Sequence, residues 1–228
     1  MPQNEHEPIA VLERKILAKN DEVAARNRAL LAERGTVAVN LMGAPGSGKT
    51  RLLEATLDRL KGRPRVAIIE GDLQTDNDAR RIARHQAPVI QLVTSGACHL
   101  EAPQVAEALE RLPLPRGGLL IIENVGNLVC PASFDLGETV RGVCVSVTEG
   151  DDKPEKYPSM FRKAGFLVIT KTDLLPHVDF DPEKVTAQAR SLNPDVRVFT
   201  TSAASGQGLV AWCAWLETLA GPARSGSA

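Results

Sequence analysis

Cysteine is scarce. The 228-residue chain holds four, Cys98, Cys130, Cys144 and Cys213, too few and too widely spaced for a disulfide framework. They read instead as core residues, metal ligands or reactive thiols of a reducing compartment. Charge of one sign is lacking too. Twenty-seven Lys and Arg against 28 Asp and Glu leave a formal net charge of −1, which argues against duplex binding through non-specific phosphate contacts and leaves only a local basic patch. No apolar run approaches the roughly 18 residues that a membrane span needs. The opening Met-Pro-Gln-Asn-Glu-His-Glu-Pro has neither the positive start nor the apolar core of a secretion signal. A cytoplasmic protein with no nucleic-acid or membrane partner is the expectation. Repeats and dividing linkers are absent as well, so one main domain is expected.

What is present is an ordinary globular balance of 43% hydrophobic and 24% charged residues, enough to build a buried core. Residues 9 to 33 contain no Pro or Gly and space Ile9, Leu12, Ile16, Val23 and Leu30 among charges, which predicts an amphipathic helix. After Gly35 the pattern changes to seven β-rich runs, 36–42, 66–70, 89–94, 119–123, 143–147, 166–170 and 196–201. Most are apolar throughout, as strands covered on both faces are. Helical stretches are predicted at about 49–60, 75–86, 102–112, 154–164, 182–191 and 209–219. The fold class is therefore α/β: a doubly wound, mostly parallel seven-stranded sheet with helices on both faces, preceded by the N-terminal helix. Residues 1–35 form a helical extension, 36–219 the main domain and 220–228 a tail expected to be disordered. Ligands of such sheets sit at the carboxyl ends of the strands.

The segment Gly43-Ala-Pro-Gly-Ser-Gly-Lys-Thr50 fits G-x-x-x-x-G-K-[ST] and lies between an apolar strand and a helix-forming run, where a P-loop must lie. Gly43, Gly46, Ser47 and Gly48 turn backbone N–H groups inward around phosphate oxygens. Lys49 neutralises β and γ charge, and the Thr50 hydroxyl ligates Mg²⁺. The second strand ends in Glu70-Gly-Asp72, and Asp72 is read as facing the metal; Asp76 and Asp78 serve equally well as helix-capping acids. Glu123 closes the fourth strand at the position where many P-loop proteins hold Mg²⁺ or a water. The loop Asn124-Val-Gly-Asn127 follows beside the γ-phosphate, suited to sensing it.

The sixth strand runs into Thr170-Lys-Thr-Asp173, which resembles the guanine-specifying N-K-x-D motif with Thr in place of Asn. In it Lys171 packs along the base and Asp173 accepts from the ring N–H and the exocyclic amine, a pair that adenine does not offer. Thr201-Ser202-Ala203 resembles the loop that meets the base O6. Cys98 and His99 follow the third strand and Cys130 the fourth. Two thiolates and an imidazole suit Zn²⁺ or Ni²⁺, but a separation of about 30 residues is no recognised metal spacing. Inert core thiols with a capping His99 remain open at this point. Cys144 and Cys213 read as core, and His6, His85 and His177 as surface residues.

Taken together, residues 43–50, 70–78, 96–100, 123–131, 147–154 and 170–176 resemble the hydrogenase nickel-incorporation GTPases, the HypB family, over about residues 36 to 219. Gly96-Ala-Cys-His-Leu100 and Asn127-Leu-Val-Cys-Pro131 distinguish them from the related urease accessory GTPases. The resemblance implies a P-loop GTPase of the class that dimerises around nucleotide, and a role in delivering Ni²⁺ to a [NiFe] hydrogenase large-subunit precursor alongside a HypA-type nickel/zinc partner. It implies that Lys49, Thr50, Asp72 and Glu123 serve phosphate and Mg²⁺, that Lys171 and Asp173 hold guanine, and that Cys98, His99 and Cys130 form a metal site at the dimer interface. Slow intrinsic turnover is expected, because no residue matches the water-orienting Gln of signalling GTPases. Residues 1–35 carry no Cys and only His6, so the N-terminal Cys motif and His-rich stretch of some members have no counterpart there. Two other readings use the same phosphate loop: an ATP-dependent kinase or ligase, and a scaffold stabilised by structural Zn²⁺.

Overall fold

In the computed structural model, residues 9–72, 77–94 and 96–221 are described, with side chains from residue 14 onward except at residue 77. The seven strands are β1 (Thr36–Gly43), β2 (Val66–Asp72), β3 (Val89–Val93), β4 (Gly118–Glu123), β5 (Val140–Ser146), β6 (Phe166–Thr170) and β7 (Arg197–Thr200). They form one sheet in the order β3-β2-β4-β1-β5-β6-β7, with every ladder parallel. Around it lie α1 (Ile9–Glu33), α2 (Lys49–Leu60), α3 (Asn77–Ala83), α4 (Ala102–Arg111), α5 (Lys153–Lys156), α6 (Pro158–Arg162), α7 (Pro182–Leu192) and α8 (Leu209–Ala220).

Alternation along the strands divides the core in two. Val39, Leu41, Ile68, Ile121, Cys144 and Phe166 face one side, where α2 and α8 contribute Leu52, Leu53, Leu57, Trp212 and Leu216. Trp212 is buried, and its ring N–H donates to Thr56 Oγ1 at 2.9 Å, so its one polar atom is satisfied inside the core. Their sequence neighbours face the other side in two groups. Ala38, Ile69, Leu120 and Ile122 lie with Leu31 of α1 and Val105 and Leu109 of α4. Val143, Val145, Leu167 and Ile169 lie with Met160, Phe161 and Val185 from α6 and α7.

Helix α1 carries two buried asparagines. Asn20 accepts from Ala102 N and donates to the Asp135 carbonyl, both at 2.8 Å. Asn27 donates to the Ala102 and Leu136 carbonyls.

Several boundaries differ from expectation. The expected helix at 154–164 is two short ones, α5 and α6, because Pro158 bars Tyr157 from helical backbone (φ −126°, ψ 53°). The strand expected at 143–147 starts earlier, at Val140, and α3 is shorter than expected. His85 is not a bare surface residue: its Nδ1 lies 2.7 Å from Asp58 Oδ1 on α2, a partner distant in sequence. The expected tail falls almost wholly outside the described residues, as do His6 and Asp76.

Candidate functional site

The loop from β1 to α2 leaves the sheet at its centre, between β4 and β5, where successive crossovers diverge to opposite sides. Gly43 sits at φ 154°, and a Cβ there would fall 2.5 Å from the Cys144 carbonyl oxygen, so only glycine lets β1 turn this tightly against β5. Gly48 precedes α2 with φ 86°. Lys49 is buried, its ammonium 3.2 Å from each of the Gly43 and Ala44 carbonyls, folded over the loop it serves. Ser47 is fully buried and its Oγ has no partner.

A cavity of about 380 Å³ opens over this loop, lined by Lys49, Thr50, Glu70, Asp72, Glu123 and Asn124 among others. Thr50 Oγ1 donates to Glu123 Oε1 at 2.8 Å, joining the hydroxyl and carboxylate that the sequence assigned to Mg²⁺. Asp72 lines the same cavity. Glu70 is the residue that sequence reasoning missed: it stands beside Glu123 in the β2–β4 register. Burial and the Glu123 charge push its carboxyl up to about 11. Full burial raises Glu123 as well, against the pull of the Lys49 charge and its hydrogen bonds. Glu70 Oε2 and Glu123 Oε2 are both buried without a partner. Two adjacent carboxyls with unsatisfied oxygens, a hydroxyl and a lysine form an oxygen-rich donor set that fits a hard divalent cation with phosphate. The signal for Glu70 was an acid ending an apolar run at the same level as Glu123.

A second cavity of about 240 Å³ adjoins at Gly48 and Arg51 and is lined by Thr170, Lys171, Asp173, Thr201 and Ala203. Lys171 adopts φ 59° and its ammonium donates to the Gly46 carbonyl at 2.8 Å, which lays the aliphatic stem across the pocket mouth. Ser202 donates to Asp173 Oδ1 at 2.5 Å, fixing that carboxylate's orientation. Thr170 does not face the pocket with a free hydroxyl; it donates to the Ser47 carbonyl at 2.6 Å and ties β6 to the phosphate loop. The Thr that stands where the motif has Asn thus forms a tether between these two segments.

Cys98, His99 and Cys130 converge despite their sequence separation, with ligand atoms all within 4.8 Å of one another. Cys98 Sγ is 3.6 Å from His99 Nδ1. His99 Nε2 is buried without a hydrogen bond, with Glu101 Oε1 3.6 Å away, and burial lowers the imidazole's pKa against the pull of the Glu101 charge, which favours the neutral form that ligates. Phe134 backs the ring at a centroid distance of 4.0 Å. Hydrogen bonding to Cys98 raises the Cys130 thiol. The capping reading of His99 is excluded, since Glu101 is the α4 N-cap. Cys144 and Cys213 are buried apart from this cluster, in the core.

The CobW/HypB/UreG nucleotide-binding domain family matches residues 37–200. The hydrogenase maturation factor HypB of Azotobacter vinelandii is 53% identical over 206 residues, spanning 90% of this chain and 68% of that protein. The crystal structure of hydrogenase maturation factor HypB from Archaeoglobus fulgidus superposes with a TM-score of 0.82 at 41% identity, covering 89% of this chain and 99% of the other. That of HypB from Helicobacter pylori in complex with nickel gives 0.83 at 36% identity, covering 89% and 95%. With its P-loop, paired strand-end carboxyls and Cys-His-Cys cluster on one parallel sheet, this chain belongs to the HypB hydrogenase maturation factors of the CobW/HypB/UreG family.

Proposed function

We propose that the protein is a GTP-hydrolysing nickel chaperone that assists nickel insertion during maturation of a [NiFe] hydrogenase in the cytoplasm. The observation that carries this reading is the Cys98–His99–Cys130 cluster, its ligand atoms within 4.8 Å of one another, on the same sheet as a P-loop with a guanine-type pocket.

Backbone N–H groups of the loop from Gly43 to Gly48, Pro45 apart, receive the phosphates, and Lys49 exchanges its two carbonyl contacts for β and γ oxygens. Thr50, Asp72 and Glu123 would hold Mg²⁺, which neutralises charge on the phosphate oxygens when bound. With the cation bound, Glu123 and Glu70 would act as carboxylates. Asp72 lines the phosphate cavity and is the group placed to orient the attacking water. Asp173 reads the guanine N–H groups, Lys171 covers the base, and the loop containing Ala203 meets O6. The nickel ion is cargo. Three ligands leave a tetrahedral set open, and Val93 and Val129, exposed beside the two ligand loops, suit closure by a second copy that supplies further ligands. GTP thereby favours a dimer that holds the ion, and hydrolysis releases it toward the hydrogenase precursor or a HypA-type partner.

The test is nickel titration of wild type and Cys98→Ala with GDP, a GTP analogue or ATP, while oligomeric mass is monitored. The expectation is one high-affinity site lost in the variant, a mass shift with guanine nucleotide, and no response to ATP. Nickel binding unaltered by Cys98→Ala would refute the cargo assignment.

A further inference from the structure

A chain of buried side-chain amides links the nucleotide pocket to both metal-bearing loops. Asn124 follows Glu123 directly and is 2% exposed. Its Oδ1 accepts the backbone N–H of Leu100 at 3.1 Å, one residue past His99, and that of Val125 at 3.0 Å. Its Nδ2 donates to Asn40 Oδ1 at 3.3 Å, in the middle of β1. Asn40, fully buried, donates in turn to Glu138 Oε1 at 3.2 Å. Glu138 takes two further donors, the Arg141 guanidinium at 2.6 Å on Oε1 and Leu136 N at 2.7 Å on Oε2. Leu136 lies at the end of the segment that carries Cys130 and the Phe134 ring against His99.

This connectivity has a direction. Glu138 accepts from the Asn40 NH₂, Asn40 presents its oxygen to the Asn124 NH₂, and the Asn124 oxygen meets the Leu100 and Val125 N–H groups. Two backbone N–H groups fix Asn124 at one end and the Glu138 carboxyl holds Asn40 at the other, so the series is pinned at both metal-bearing loops. Purely apolar side chains would fill β1 at lower desolvation cost. The buried polar series therefore needs a reason other than packing.

We propose that Asn124, Asn40 and Glu138 are positioning residues that couple nucleotide state to nickel affinity. The proposal rests on the GTP-and-nickel reading above. The peptide that aims Glu123 at the phosphate end also aims Asn124, so a rearrangement of Glu123 on nucleotide exchange moves the acceptor that holds Leu100 and shifts His99 relative to Cys98 and Cys130. Glu138 anchors the other loop through the same series, so both halves of the ligand set register one event.

The experiment measures nickel affinity by sulfur-to-nickel charge-transfer absorbance, with GDP and with a GTP analogue, in wild type, Glu138→Gln, Asn40→Leu and the double variant. Gln offers one oxygen where three donors converge, and Leu fills the Asn40 volume without hydrogen bonds. Wild type is expected to show a nucleotide-dependent ratio of about 5-fold or more. Each single variant should bring that ratio to within about twofold of one, and the double variant should change it no further, as members of one series do. Metal-free GTP affinity should remain as in wild type for Glu138→Gln. A ratio preserved in both single variants, or effects that add in the double, would overturn the relay. A wild type with equal nickel affinity in both nucleotide states would overturn it too. Nickel binding insensitive to Cys98→Ala would instead overturn the underlying site reading, and the relay with it.

Discussion

Replacing Asp173 with Asn tests the base pocket most sharply. In the wild type Ser202 holds Asp173 Oδ1 at 2.5 Å, leaving Oδ2 to face the base. In Asp173→Asn the amide oxygen stays with the Ser202 hydroxyl, and the NH₂ then confronts the guanine ring N–H and exocyclic amine, donor against donor. Two hydrogen bonds to a charged acceptor, each worth about 1.5–3 kcal/mol, are lost. The sum, about 3–6 kcal/mol, corresponds to roughly 10²- to 10⁴-fold in affinity. Because Asp173 is exposed in the nucleotide-free protein, the lower end, about 10²-fold, is expected. Xanthine carries a carbonyl where guanine has its amine, which the Asn NH₂ can meet. Competition of GTP, XTP and ATP against a fluorescent guanine nucleotide reads all three affinities. A loss of GTP affinity below about tenfold, or equal losses for GTP and XTP, would refute the assignment of Asp173 to the base edge.

Thr170→Val removes one hydroxyl-to-carbonyl hydrogen bond to Ser47; nucleotide affinity should fall by about 2- to 10-fold for 0.5–1.5 kcal/mol, with the GTP-to-ATP preference unchanged in the same competition assay. Glu70 has a folded pKa raised to about 11, so it is protonated in the fold and ionised in the unfolded chain near neutral pH. Its contribution is fully present at acid pH and is lost as pH rises toward that value, by at most about 1.4 kcal/mol per pH unit. In nucleotide- and metal-free protein, Glu70→Gln should therefore gain on wild type in denaturant titrations between pH 5 and 8, while losing affinity for Mg²⁺ with GTP. Nickel binding needs both thiols deprotonated, and Cys130 lies above its ordinary value while His99 lies below. Nickel affinity should thus rise with pH through 7 to 9 and release protons in calorimetry in buffers of different ionisation heat. Gly126→Ala places a Cβ 2.9 Å from Pro45 N of the phosphate loop, so the backbone there must shift; hydrolysis should slow and the melting temperature of nucleotide-free protein should fall.

The phosphate loop was legible because its chemistry is local: Gly43 to Thr50 needs no distant residue to be recognised, and the apolar runs on either side announced strands buried on both faces. The metal cluster was only half legible. Cys98-His99 and Cys130 carry the right atoms, but what brings them within 4.8 Å is the adjacency of strand ends across a sheet, which no spacing encodes. Glu70 was passed over in favour of Asp72 because Asp72 closes the strand, where ligands of such sheets sit, and only the β2–β4 register sets Glu70 against Glu123. Asn40 was hidden for a related reason: a lone polar residue in an apolar strand reads as noise until Asn124 and Glu138 are seen to meet it. His85 was read as a surface residue because Asp58, which contacts it, lies on another helix. The break at Tyr157 was written in Pro158, yet the helical spacing of neighbouring residues outweighed it.

The two asparagines of α1 have a mechanical consequence. Asn20 grips Ala102 and Asp135, and Asn27 grips Ala102 and Leu136, so one stiff rod spans both banks of the sulfur cleft. The preceding turns, with Ile16 exposed, extend that rod outward like a handle. Both loops that bring the thiols and the imidazole together are thereby fastened to a single helix, so shortening either asparagine should loosen the spacing of the cluster as well as the seat of α1.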